Sequence, residues 1–325
     1  MSFQDIIGQA HAKQMLQNGL RNDKVSHAYL FAGPQGSGRK EMALTFAKAL
    51  FCTEMKDDCC DECLECRKVD HHNHPDIHVI APEGSSIKIE QIRALQREFA
   101  YRTGGGSRKV YIMEQADKMT VQAANSLLKF LEEPLSPVVA ILLTENGQAM
   151  LPTIQSRAQW ISFTPMDPKA MLQVLVQEGY AQSLARCAVH LASGLPACRE
   201  IIQQNWFAEI RNVMLQLGKD CLNKVNTAMI TAQQQLFKTP LAEHLDTLMS
   251  LFLLWFKDMI HYQLDRTESI IFIDQLESIS KYAFSRTTEA WVRCMELTTE
   301  MQKRLRANVN PQLAFEQFLV GVQGG

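Results

Sequence analysis

The first 165 residues alternate short apolar runs with segments of helical period, and this alternation leaves few folds open. "HAYLFAG" (27–33) reads as a buried strand that runs into a glycine-rich loop, and "KEMALTFAKALF" (40–51) continues with apolar residues at helical spacing. "DIHVIAP" (76–82), "KVYIM" (109–113), "PVVAILLTE" (137–145) and "WISFTP" (160–165) supply further strands. Between them, "IKIEQIRALQREF" (87–99) sets Ile89, Ile92, Leu95 and Phe99 on one helical face, and "VQAANSLLKFLEE" (121–133) is a helix ended by Pro134. Strands that alternate with helices are joined by crossovers, so the sheet is parallel and helices cover both faces. The predicted class is α/β.

Past Pro165 the strand signals stop. "MDPKAMLQVLVQEG" (166–179) and "AQSLARCAVHLASG" (181–194) read as short helices, and from about residue 200 the chain is helical to its end. The expected plan has three parts: a parallel-sheet domain at 1–165, a small helical lid at 166–205 and an all-α domain at 206–325. No 20–50-residue period repeats, which excludes a solenoid.

The glycine loop "GPQGSGRKE" (33–41) carries Gly33, Gly36 and Gly38 at phosphate-loop spacing. Such a loop wraps phosphates with backbone N–H groups, reaches them with a lysine and holds magnesium with a hydroxyl. Here Arg39 takes the lysine position and Lys40 the hydroxyl position, and an ammonium cannot ligate a cation. In "KVYIMEQAD", Glu114 stands where an aspartate would bind magnesium, and Gln115 stands where a glutamate would polarise water. An amide has no basic lone pair near neutral pH, so Gln115 cannot serve as a general base. Two separate parts of a hydrolytic machine are thus altered, which argues against turnover. Weak ATP or ADP binding stays open, because the backbone cradle needs only the glycines. A plain strand-to-helix turn would use the same glycines for positive φ.

The chain has 325 residues, 46% of them hydrophobic, so a full-sized core can form. A formal charge of −2 gives no sign of a strongly basic nucleic-acid binder. The N-terminus shows no signal peptide, and the longest apolar run, "LFLLWF" (251–256), is far short of the roughly 18–20 residues needed to span a bilayer. A cytoplasmic protein with no membrane partner is expected, and there cysteines stay reduced. Nine cysteines then need another account. In "LFCTEMKDDCCDECLECRK", Cys60, Cys63 and Cys66 follow C-x-x-C spacing, with Cys52 eight positions upstream of Cys60. Four thiolates close a tetrahedral structural zinc site. Cys59 is a possible substitute for Cys60. An iron–sulfur cluster is the rival, although the continuation C-x-x-x-C-P is absent. His71, His72 and His74 nearby are competing ligands or solvated loop residues.

Thr144 ends the fourth strand, where its hydroxyl could point toward a γ-phosphate. Arg157, in "SRA", precedes the fifth strand and could project from the domain edge toward a neighbour's phosphates, or serve as an ordinary surface charge. Arg93, Arg97, Arg102, Arg108 and Lys109 could line a DNA-facing surface, or simply be solvated.

Taken together, "SHAYLFAGPQGSGRK", the cysteine cluster followed by "NHPDIHVI", "NSLLKFLEEP", "LPTIQSRAQ" and "NVNPQLAFEQFLV" resemble the clamp-loader subunits of bacterial DNA polymerase III, AAA+ proteins, and among them the delta-prime type. The resemblance covers essentially the whole chain. It implies a RecA-like AAA+ domain with a zinc module at about 52–66, a lid and a helical collar. It also implies a non-hydrolysing stator in a five-membered ring with gamma or tau and delta subunits, which loads a sliding clamp on primed DNA during replication. Within that ring, Arg157 would act in trans at the ATP site of a neighbouring motor subunit. The motif departs from the usual "SRC" at Ala158, and "ASGLPACRE" lacks an arginine where motor subunits place a phosphate sensor, Arg199 coming late. An active gamma/tau-type ATPase is the alternative.

Overall fold

The computed structural model describes residues 1–101, 108–132, 137–307 and 309–324; Arg102, Pro134 and the side chain of Phe99 lie outside what is described. The chain divides into two compact units, Met1–Asp167 and Pro168–Gly325.

The first unit opens with α1 (Ala10–Arg21), β1 (Ala28–Ala32), α2 (Arg39–Phe51), α3 (Leu64–Asp70) and β2 (Ile77–Ile80). It continues with α4 (Ile89–Tyr101), β3 (Lys109–Met113), α5 (Val121–Glu132), β4 (Val138–Thr144), α6 (Pro152–Gln155) and β5 (Gln159–Ser162). The five strands form one sheet in the order β2-β3-β4-β1-β5, parallel at every pairing. The predicted strands overran these by one or two residues at most ends, because strand termini carry the same apolar residues as the loops that leave the sheet.

Side chains alternate across the sheet, as the period of a strand requires. Tyr29, Phe31, Val110, Ile112, Val139, Ile141 and Leu143 face one side, where they meet Leu16 of α1 and Met42, Phe46 and Ala47 of α2. Leu30, Tyr111, Met113, Ala140 and Leu142 face the other, against Ile92 and Leu95 of α4 and Leu127 and Leu131 of α5. The strands are therefore apolar on both faces, and β1, β3 and β4 are buried along their whole length. β1 lies between β4 and β5, with Phe31 opposite both Leu143 and Ile161. The loop that follows β1 consequently emerges beside the ends of both neighbours.

The second unit is helical: α7 (Pro168–Gln177), α8 (Gln182–Leu191), α9 (Leu195–Gln203), α10 (Asn205–Asn223), α11 (Val225–Thr231), α12 (Leu245–Gln263), α13 (Leu276–Ala283), α14 (Thr288–Arg306) and α15 (Pro311–Gly324). α12 is the buried one, with Leu248, Leu251, Phe252, Trp255, Phe256 and Met259 all in the core. Its Phe256 ring stacks on Trp291 of α14 at 5.9 Å between centroids. Asp258, also buried, accepts N–H bonds from Ile271 and Phe272, which ties the connection after α12 back onto the helix. Among the described residues, no helix is long and apolar enough to cross a membrane.

One glycine marks how tightly the strand ends pack. A Cβ built on Gly33 would lie 2.4 Å from the Phe163 carbonyl oxygen, a backbone atom that cannot swing aside. Gly33→Ala is expected to lower the stability of the first unit by about 1–3 kcal/mol, read as a lower urea midpoint. An unchanged midpoint would mean that the Phe163 backbone yields freely.

Candidate functional site

Helix α2 carries a feature at each end. The glycine loop leads into its first turn, and Cys52 caps its last. At that second end, Cys52, Cys60, Cys63 and Cys66 place their sulfurs within 4.8 Å of one another. The spacing does this locally. Cys63 caps the N-terminus of α3, and its sulfur accepts the Cys66 N–H at 3.4 Å. The Cys63 N–H reaches the Cys60 sulfur at 3.3 Å, and the Met55 N–H reaches Cys52 at 3.4 Å. Three of the four sulfurs, those of Cys52, Cys60 and Cys63, therefore receive a backbone donor, which favours the thiolate. At Cys66, burial pushes the thiol up. At Cys63, desolvation acts the other way, but donors from Thr53 and Cys66 outweigh it and bring the thiol down to about 6.

The donor set fits zinc. With Zn–S bonds of about 2.3 Å, a tetrahedron has sulfur–sulfur edges of about 3.8 Å. The Cys60 and Cys66 sulfurs lie 3.9 Å apart, and none of the four is in a disulfide. Four soft ligands gathered this closely suit one ion better than a multi-iron cluster, whose ligands must spread around several metals. Four protein ligands leave no open position, so such a centre holds structure and does no chemistry on a substrate.

Cys59 is placed elsewhere. Its sulfur points toward the Met1 carbonyl oxygen at 3.3 Å. Burial, reinforced by Asp61 and Asp58 against the opposing pull of Lys48, pushes this thiol up to about 12. It remains protonated and outside the set. The histidines also stay apart. His74 is buried, accepts the Asp76 N–H at its Nδ1, faces the Glu65 carboxylate at 3.1 Å and packs on the Phe51 ring. His71 and His72 are exposed.

At the other end of α2, each glycine has a reason in the fold. Gly36 and Gly38 take φ of 71° and 84°, which favour glycine, and Gly33 has no room for a side chain. The charges around the loop are matched to each other. The Lys40 ammonium lies 2.6 Å from the Glu114 carboxylate, the group that would hold magnesium. Arg39, largely buried, faces Glu145 at 3.9 Å. Burial lowers the Arg39 pKa, with Glu145, Asp117 and Glu41 opposing it. Thr144 is fully buried, and its hydroxyl donates to Asp117 at 2.7 Å. The turn around Gln115 adopts φ of 49° and opens a short 3-10 turn that carries Asp117 there.

Sequence reasoning missed Asp117, Glu145 and Gln9. The Gln9 amide donates to the carbonyls of Ser37 and Thr164, 28 and 155 residues away, and so clips the loop to the chain beyond β5. Only three dimensions bring these residues together; no local pattern announces them. Arg157 sits exposed in the turn between α6 and β5, and its guanidinium donates to the Thr153 carbonyl at 3.0 Å. Arg199 makes a two-pronged ion pair with Glu178, at 2.9 and 2.6 Å. Arg93, Arg97 and Arg108 are exposed, but Lys109 is buried in β3 and faces no surface.

Replacing any of Cys52, Cys60, Cys63 or Cys66 by serine should reduce the zinc content of purified protein from about one equivalent to none, by elemental mass spectrometry. Cys59→Ser should keep its zinc; loss of metal in that variant would move the site.

Residues 8–167 match the family model described as DNA polymerase III, delta subunit. The chain is 35% identical to DNA polymerase III subunit delta' of Bacillus subtilis strain 168, over 98% of this chain and 97% of that protein. It is 30% identical to the subunit of the same name in Pseudomonas aeruginosa PAO1, over 91% of each. The tau subunit of B. subtilis is 33% identical over 57% of this chain, but that stretch is only 35% of tau.

Proposed function

The chain belongs to the DNA polymerase III subunit delta' family, and from that premise we propose that it is the non-hydrolysing member of a replicative clamp loader. In this reading the first unit is a RecA-like AAA+ module that has lost turnover. The stretches 166–205 and 206–325 act as lid and collar. The partners are gamma or tau and delta subunits in a five-membered ring, and through that assembly the sliding clamp and primed DNA.

The observation that carries the non-hydrolysing part is the Lys40–Glu114 ion pair at 2.6 Å. A motor needs that carboxylate for magnesium and needs a hydroxyl where Lys40 stands. Magnesium would have to displace an ammonium already neutralising the site, and Gln115 offers no base once it had. The glycines do not weigh against this, because packing and backbone conformation account for all three. Loop and nucleotide are separable on this view: the loop is kept for the fold.

Arg157 is proposed to serve in trans. It is exposed on the short turn before β5, where a rigid sheet edge would hold it out toward a neighbour's ATP. A guanidinium brought to a transferring phosphoryl group stabilises the charge that develops there, an effect worth roughly 10³-fold or more in established cases. A single N–H bond to the Thr153 carbonyl helps to aim the side chain.

The purified chain, free of other ATPases, should show no ATP turnover with magnesium. In a complex rebuilt with tau and delta subunits, Arg157→Ala should lower DNA-stimulated ATP hydrolysis at least about ten-fold, while the complex still assembles. Clamp loading by that variant at the wild-type rate would sink the trans role. Steady turnover by the chain alone, lost on Glu114→Gln, would make it a motor.

A further inference from the structure

Lys48 lies in the last turn of α2 and is only 2% exposed, yet it carries a charge. An ammonium taken out of water needs partners, and its two are Asp61 and Asp70 at 2.8 Å. These carboxylates flank the second half of the cysteine site, Cys63 and Cys66. Asp61 stands between Cys60 and Cys63, and Asp70 ends α3, four residues past Cys66.

We propose that Lys48 is a positioning residue for the four-cysteine site, a buried cation that pins the stretch bearing Cys63 and Cys66 to helix α2 from both sides. The inference rests on the zinc reading given above. Three observations support it. Asp61 adopts φ of 60°, a left-handed conformation unfavourable for a residue with a Cβ, so something must hold it there. Its side chain is held by Lys48 and, through the other oxygen, by the Met1 ammonium at 2.6 Å, and it follows the ligand Cys60 directly in the chain. A single side chain thus connects the core helix to a ligand through one residue. Finally, zinc with four thiolates carries two net negative charges, and Lys48 places a fixed positive charge against the segment that bears them. Burial alone would lower the Lys48 pKa, but its bonds to Asp61 and Asp70 outweigh that and hold it above its ordinary value.

Partners behind a ligand shell tune metal retention, and their loss typically costs about 10–100-fold in affinity. The full chain would be loaded with zinc and mixed with a chromogenic chelator. Lys48→Met keeps the apolar stem and removes the charge. It should release zinc at least about ten-fold faster than wild type. With cobalt(II) in place of zinc, its thiolate-to-cobalt charge-transfer band should shift, because that energy senses charge near the sulfurs. Gly33→Ala destabilises the same unit at the far end of α2 and should release zinc at the wild-type rate. Asp70→Asn is milder and should accelerate release in the same direction, which keeps a test in hand if Lys48→Met fails to fold.

Release at the wild-type rate by Lys48→Met, or by Asp70→Asn where that is the folded variant, would overturn the role of Lys48 while leaving the metal in place. Equal acceleration by Gly33→Ala would do the same, since general loosening would then explain the result. Wild-type protein that neither contains nor takes up zinc would overturn the metal reading itself, and this proposal with it.

Discussion

Burial of helix α2 against the sheet is the interaction on which both ends of the first unit depend. Met42, Ala43, Phe46 and Ala47 press onto the face that β1, β3 and β4 present. Each large side chain so buried contributes about 1.5–3 kcal/mol. With its middle fixed in this way, the helix holds the glycine loop at one end and Cys52 at the other. Neither feature could keep its geometry if α2 were free to tilt.

Electrostatics follows one rule at both ends. A charge withdrawn from water needs a counter-charge, and a protein either supplies one or leaves the place for a ligand. Around the glycine loop the chain supplies its own: Lys40 meets Glu114, and Arg39 faces Glu145. A working nucleotide site would leave such groups for phosphate and magnesium. In the cysteine module the balance is the reverse. Four sulfurs converge, three of them accepting a backbone N–H, an arrangement completed by a metal ion. The same fold thus pairs its own charges around the glycine loop and gathers four sulfurs at the other end of α2.

Much of this was legible in the sequence, for reasons that differ by residue. The sheet could be read because buried parallel strands are apolar on both faces, and in β1, β3 and β4 the charged or hydroxyl residues Lys109 and Thr144 stand only at strand ends. The metal set could be read because C-x-x-C spacing places two sulfurs on one turn, a local consequence of backbone geometry. Its ambiguity was local too. Cys59 and Cys60 are adjacent, and spacing alone cannot say which one turns inward. The structure separates them, because Cys59 is drawn under Met1 and Asp58. Within the stretch expected to be helical from about residue 200, α12 begins only at Leu245, since Pro240–His244 form a 3-10 turn. Lys109 looked like a surface cation and is buried, because the strand pattern says which face a residue takes and not whether anything covers it.

The amino-acid sequence by itself determined the elements, the parallel sheet, the residues that stand at the glycine loop and after β3, and the cysteine set. All of these rest on residue type and on spacing within a few residues, where backbone geometry leaves little freedom. Only the tertiary structure decided the pairings: Lys40 with Glu114, Thr144 with Asp117, Gln9 with Thr164, and Lys48 with Asp61 and Asp70. Those partners are 13 to 155 residues apart. A charge or a hydrogen-bonding group chooses among whatever the folded chain brings within about 3 Å, and that choice is made by packing.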